Sequence, residues 1–155
     1  MTPDPARLVC FELAGQTFGA PIDQVKESIV LRPLTRVFRL PPWFAGIVNL
    51  RGTIVAVLDL AALFGLGRFR ATSDARIVIV RAGGVTSGLL VDALRDVRTV
   101  DLDALQPWQQ EGASADLATS VLGVATAPDQ TPLVVLDIAR LFSSERLRQY
   151  QRKAS

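Results

Sequence analysis

The chain carries an internal repeat, which limits architecture more firmly than local propensity does, because each copy must fold as the same unit and the units must pack together. Gly15, Thr17, Gly19, Ile22, Asp23, Val25 and Glu27 recur as Gly84, Thr86, Gly88, Val91, Asp92, Leu94 and Asp96. Both copies read Gly-x-Thr-x-Gly-x-x-aliphatic-Asp-x-aliphatic-x-acidic. Further along, Gly46 returns as Gly123. Ala-Val-Leu-Asp-Leu-Ala-Ala-Leu-Phe, ending at Phe64, returns as Val-Val-Leu-Asp-Ile-Ala-Arg-Leu-Phe, ending at Phe142. The order of these pieces is the same in each half.

Each half opens with a strand-like run, 8–13 and 76–81, then a glycine turn and a second strand. Ala14-Gly15-Gln16 and Ala82-Gly83-Gly84 sit between β-branched runs, where glycine supplies the positive φ of a tight hairpin. The runs 54–58 and 133–136 are almost wholly aliphatic, as in strands covered on both faces. Each is followed by an aspartate and a short apolar helical pattern, so Asp59 and Asp137 are expected to cap helices. The stretch 65–73 is the expected joint between halves, and 106–118, with Pro107 and Gly112, is expected to be a surface loop leaving Trp108 partly exposed. These patterns alone predict two small all-β barrels with short helices.

Composition narrows the function. A chain of 155 residues with 49% apolar content buries about two thirds of its unfolded surface without staples. Cys10 is the single cysteine, which excludes an internal disulfide and thiolate metal sites. There is no histidine, so Ser-His and Cys-His pairs, the usual zinc ligands and the commonest general base are all missing. This composition argues against an enzyme, a cofactor and a bound metal. Seventeen Lys and Arg against fifteen Asp and Glu give no basic surplus that would mark a nucleic-acid binder. The basic tail carries only Tyr150 for stacking. The start of the chain does not read as a signal peptide, and no apolar run approaches the ~20 residues that span a bilayer. The expected location is cytoplasmic, without membrane insertion.

Asp23, Asp59, Asp92 and Asp137 raise the idea of a catalytic carboxylate pair. They recur with the repeat, however, as capping or turn residues do. Gly83-Gly84 lacks the rest of a phosphate-binding loop and reads as a hairpin. Cys10, without a histidine partner, reads as a small strand residue. Phe38, Trp43 and Phe44 around Pro41-Pro42 are expected to pack over a barrel end rather than form a recognition surface. Arg51 stands apart. It lies in the turn of Gly-Ile-Val-Asn-Leu-Arg-Gly-Thr-Ile-Val, between two apolar strands, and the second copy has Thr126, Ala127 and Pro128 where Asn49, Leu50 and Arg51 stand. An ion pair with Glu27 is the structural alternative to partner binding, and one guanidinium can serve both.

The stretch beginning at Gly46, the Val57-Leu58-Asp59-Leu60 run, the Gly88-Leu-Leu-Val-Asp92 strand and the block from Gly123 to Ile138 resemble the CheW-like chemotaxis coupling proteins, from about Leu8 to Phe142. The resemblance implies a mainly β fold of two intertwined SH3-like five-stranded β-barrel subdomains, with short helices and a C-terminal helix. Residues 1–7 are then a disordered N-terminus, 8–142 the domain, and 143–155 a basic helix or tail. It implies a non-enzymatic adaptor between the cytoplasmic helical hairpin of a chemoreceptor and the regulatory domain of a CheA-type histidine kinase, working beside receptor arrays. A regulatory module that binds only a receptor or only a kinase, in a non-flagellar pathway, is the alternative. The resemblance places Val25, Glu27, Gly46, Asn49, Arg51, Gly52 and Ile77 at the receptor site, near a groove between the barrels. Gly88, Asp92 and Trp108 fall on the kinase side. Ala56 stands where the family commonly has proline.

Overall fold

Among the described residues three hairpins turn on a two-residue loop with positive φ at both positions: Ala14-Gly15, Arg51-Gly52 and Gly83-Gly84. This is the type I′ geometry whose twist matches that of the flanking strands. The computed structural model of the chain describes residues 5–108, 114–126, 130–144 and 147. Its strands are β1 (Ala6–Leu13), β2 (Gln16–Pro21), β3 (Val25–Val30), β4 (Phe44–Leu50), β5 (Thr53–Asp59), β6 (Arg76–Ala82), β7 (Val85–Val91), β8 (Ala93–Val100), β9 (Val121–Thr126) and β10 (Pro132–Leu136). Ala6 and Arg7 pair with Val100 and Thr99 and are strand, against the expectation of disorder through residue 7; residues 1–4 lie outside the described residues. Most of the expected C-terminal helix or tail lies outside the described residues.

The strands form two five-stranded sheets of identical plan, β8-β1-β2-β10-β9 and β3-β6-β7-β5-β4. Exchanging the halves of the repeat converts one order into the other. Each sheet combines two strands from one half with three from the other, which is the intertwining. The SH3-like sheets stop short of full barrels. Single-residue bridges, Thr35 to Ile47 and Gln106 to Val124, draw their edges together, each through two backbone hydrogen bonds of 2.8–3.0 Å. Gly46 and Gly123 make those approaches possible. Their φ values are +149° and +157°, and an added Cβ would stand 2.7 Å from the Thr35 carbonyl oxygen or 2.8 Å from Leu105 Cβ.

Aspartate caps hold the two matching helices. Asp59 accepts from the Ala62 N–H at 3.1 Å, opening α1 (Leu60–Leu63), and Asp137 accepts from the Ala139 N–H at 2.9 Å, opening the later helix Ile138–Phe142. Between them comes α2 (Ala115–Ser120), so the helix Ile138–Phe142 is α3. The chain around α2 had read as loop through residue 118. Instead Ser114 accepts from the Leu117 N–H, and Leu117 is fully buried. One and a half turns give too little periodicity to announce a helix, and burial of Leu117 rather than propensity holds it.

A central core lies between the sheets and helices, with Phe11, Phe18, Leu60, Phe64, Leu89 and Leu141 fully buried. Each such side chain contributes about 1.5–3 kcal/mol of apolar burial. Each sheet also encloses a satellite core, around Val55, Val57, Ile77 and Ile79 in one and around Leu8, Cys10, Leu133 and Val135 in the other. Trp43 belongs to the central core and Phe44 packs against it, as expected for the proline-aromatic cluster, but Phe38 is 91% exposed.

Candidate functional site

The β4–β5 hairpin ends on Arg51, at φ 51°, and Gly52, at φ 89°. Asn49 braces this turn by accepting from the Gly52 N–H at 2.8 Å. Glycine or asparagine is the usual first residue of such a turn, and an arginine there holds a backbone conformation that L-residues seldom adopt. The turn aims the Arg51 guanidinium at Glu27 on β3. Nη1 donates to Glu27 Oε1 at 3.1 Å and Nη2 donates to Oε2, a two-pronged pair that joins opposite edges of one sheet. The Arg51 side chain remains 69% exposed and its remaining donors are open to solvent. The hydrogen bonds from Arg51 hold the Glu27 carboxyl below the usual carboxylate range. Desolvation opposes them more weakly, and the charges of Arg51 and Arg32 reinforce them. The same pairing raises the guanidinium pKa. Both groups are charged at neutral pH.

Of the residues expected at the receptor site, Glu27, Asn49, Arg51 and Gly52 come together at this tip. Val25 is half-buried against the central core. Gly46 serves the Thr35 crossing described above. Ile77 has no exposed surface and belongs to a satellite core, so it is not a contact residue. The kinase-side residues separate as well. Gly88 is buried, and a Cβ there would meet Ile77 Cγ2 at 2.8 Å and Val57 Cγ2 at 3.2 Å, a packing constraint. Asp92 accepts from the Ala14 N–H at 2.8 Å and so ties the β1–β2 turn to the second half. Trp108 is half-buried against the central core, as its expected partial exposure requires.

A groove whose lining residues the sequence did not disclose runs beside the same hairpin. It encloses about 680 Å³ between β4, β5 and β7 on one side and the end of α3 on the other. Ile47, Ile54, Ala56, Val85, Ser87 and Phe142 line it, and Ile54 is 61% exposed. Neither Arg51 nor Glu27 lines it. Register explains the separation: Val55 and Val57 face a satellite core while Ile54 and Ala56 alternate to the other face. The wholly aliphatic run 54–58 had suggested cover on both faces, and the exposed Ile54 corrects that expectation.

The repeat accounts for the groove. Phe18 and Ser87 occupy matching positions, as do Phe64 and Phe142. In one sheet the Phe18 and Phe64 rings pack with centroids 6.1 Å apart. In the other, Ser87 leaves the equivalent space beside Phe142 open and turns its hydroxyl to donate to the Ala56 carbonyl at 2.9 Å.

Among the described residues no group of side chains has the makings of a metal site, and no helix is long and apolar enough to cross a membrane. A family model described as the CheW-like domain matches residues 7–146. A probable chemotaxis protein CheW from Rhizobium etli is 30% identical over 136 residues, covering 88% of this chain and 86% of the relative. Chemotaxis protein CheW from Klebsiella aerogenes is 28% identical over 137 residues, covering 88% and 81%. The crystal structure of the scaffolding protein TtCheW from Thermoanaerobacter tengcongensis superposes with a TM-score of 0.79 at 31% identity, covering 92% of this chain and 91% of that one.

Proposed function

The chain belongs to the CheW-like family, and from that premise we propose that it is a non-enzymatic adaptor coupling methyl-accepting chemoreceptors to a CheA-type histidine kinase. The observation that carries the site is the Arg51 turn: exposed, held in an unusual backbone conformation and absent from the second copy of the repeat. An arginine at this solvent-facing tip presents charged donors where a partner can meet them. The receptor's helical hairpin lays an apolar face into the groove of Ile47, Ile54, Ala56 and Val85. Ile54 pairs across the hairpin with Asn49, two residues before Arg51, so the groove opens beside the turn that carries the guanidinium, which fixes the register of an occupant. The kinase's regulatory domain docks elsewhere on the sheets, and the adaptor works beside the receptor array in the cytoplasm.

Reconstitution of receptor, kinase and this protein tests the reading: kinase activity is expected to follow the receptor's state only when the adaptor is present. Arg51→Ala is expected to weaken receptor binding at least about tenfold, because a central arginine is a frequent hot spot. It should move the thermal midpoint little, since the ion pair it removes is exposed. A large loss of stability with receptor binding intact would assign Arg51 to the scaffold instead.

A further inference from the structure

A second cavity of about 680 Å³ lies between the connector after β3 and the loop after α1, separate from the Arg51 tip. Its floor is apolar, built from Leu31, Leu34, Phe44, Phe69 and Leu90, and its rim carries Arg36, Arg39 and Arg68. Among the described residues none of these three arginines forms an ion pair. The one carboxylate in the cavity, Asp59, is already engaged through both oxygens by the N–H groups of Ala62 and Phe69, at 3.1 and 3.2 Å. Three guanidiniums therefore surround an apolar floor with no free anion to answer them. Beside them stands Phe38, 91% exposed, whereas Phe11, Phe18, Phe64 and Phe142 are buried and Phe44 and Phe69 are half-buried. Its neighbour Arg39 has φ +66°.

We propose that this cavity is a docking site for an acidic amphipathic segment of a partner protein, with apolar side chains on the floor and carboxylates on the arginine rim. Charge complementarity fixes the sign of the partner, since a cationic or neutral segment would leave the rim uncompensated. The apolar floor sets the remaining requirement, because a bare phosphate or a nucleic-acid backbone offers nothing to cover it. Guanidinium forks match carboxylates in geometry as well as charge, and Phe38 supplies the kind of aromatic anchor that dominates protein contacts.

The test uses the full chain and a fluorescent synthetic peptide with leucines at helical spacing and glutamates between them, read by anisotropy against the same peptide with glutamines. The glutamate peptide is expected to bind at least about tenfold more tightly, and the advantage to shrink as salt rises from about 0.05 to about 0.5 M. Arg36→Gln/Arg68→Gln, which leaves out Arg39 because that residue also borders the groove beside α3, is expected to abolish the preference while melting like the parent. Arg140→Gln, an exposed arginine outside the cavity, is expected to keep it. Equal binding of the two peptides, or undiminished preference in the double variant, would overturn the proposal. So would displacement of the peptide by inorganic phosphate at matched ionic strength, or preferential capture of the protein by phosphatidylglycerol vesicles.

Discussion

In one sheet Phe18 packs on Phe64; in its repeat-related partner Ser87 stands beside Phe142 and a groove remains. The two sites share strand order, hairpin geometry and neighbouring helix caps. They differ at one side chain that decides whether the space is core or surface. The same division holds more widely. Gly46 and Gly123 make the same close crossings, Gly19 and Gly88 fit under neighbouring strands, and Asp59 and Asp137 each receive a helix and donate a backbone N–H, to Trp43 and Ser120 respectively. What differs lies outside. Glu27 pairs with Arg51 across the sheet, whereas its counterpart Asp96, among the described residues, pairs with Arg98 on its own strand. The connector before β4 carries Pro41-Pro42, which forbids a helix, while the matching connector before β9 folds as α2. The shared positions hold the fold, and in the function proposed above the divergent ones serve contact with partners.

The largest test of this comparison is Phe18→Ala. Loss of a fully buried ring is expected to cost about 4 kcal/mol, seen as a lower midpoint in denaturant, because the neighbouring core cannot collapse into the space. A cost near that of an exposed site would mean that the ring is dispensable and the two sheets are alike after all. Next in size, Gly46→Ala and Gly123→Ala are expected to lose about 3 kcal/mol each, from a backbone conformation nearly reserved for glycine and a contact under 3.0 Å. If one substitution were tolerated and the other not, the two crossings would not be equivalent.

Ser87→Phe tests the groove directly by placing in one sheet what Phe18 places in the other. Receptor affinity is expected to fall at least about tenfold. Ser87→Ala, which gives up only the bond to the Ala56 carbonyl, is expected to cost about 1 kcal/mol of stability and to leave binding close to the parent. Unchanged binding by a folded Ser87→Phe protein would remove the groove from the receptor site.

The smallest effect concerns pH. Glu27's folded-state pKa lies below its ordinary value of 4.5, so its contribution to stability is whole above that value and is lost as pH falls through the lowered one. Glu27→Gln is expected to be slightly less stable than the parent at about pH 7, with the gap narrowing as pH falls below the ordinary carboxylate value. A gap that persists in acid would point to packing rather than charge.

Much of this organisation was legible in the sequence, and the repeat made it so. Glycine turns, aspartate caps and aliphatic strands are local signals, and they appear twice. Pairing between distant strands is not local. Nothing in the runs around Phe18 and Val134 says that β2 and β10 lie parallel and adjacent, so the exchange of strands between sheets came only with the family resemblance. Arg51 and Glu27 were legible as a pair because one apolar hairpin isolates one arginine. Gly46, Ile77 and Gly88 were placed at binding sites by resemblance, and in the structure all three are buried. The groove's lining was hidden because Ile54 continues an aliphatic run in which Val55, Val57 and Leu58 are buried, and no composition rule separates an exposed isoleucine from its buried neighbours.

The exchange of strands also sets when each half of the molecule becomes complete. β3 to β7 follow one another along the chain, so their sheet has all its strands once residue 91 has left the ribosome. β1 and β2 emerge first, yet their sheet includes β8, β9 and β10. The earliest hairpin keeps its β1 edge unpaired until residue 100 is made and its β2 edge unpaired until residue 136, and a nascent chain cut short after Val100 keeps one sheet whole and leaves the other without two of its strands.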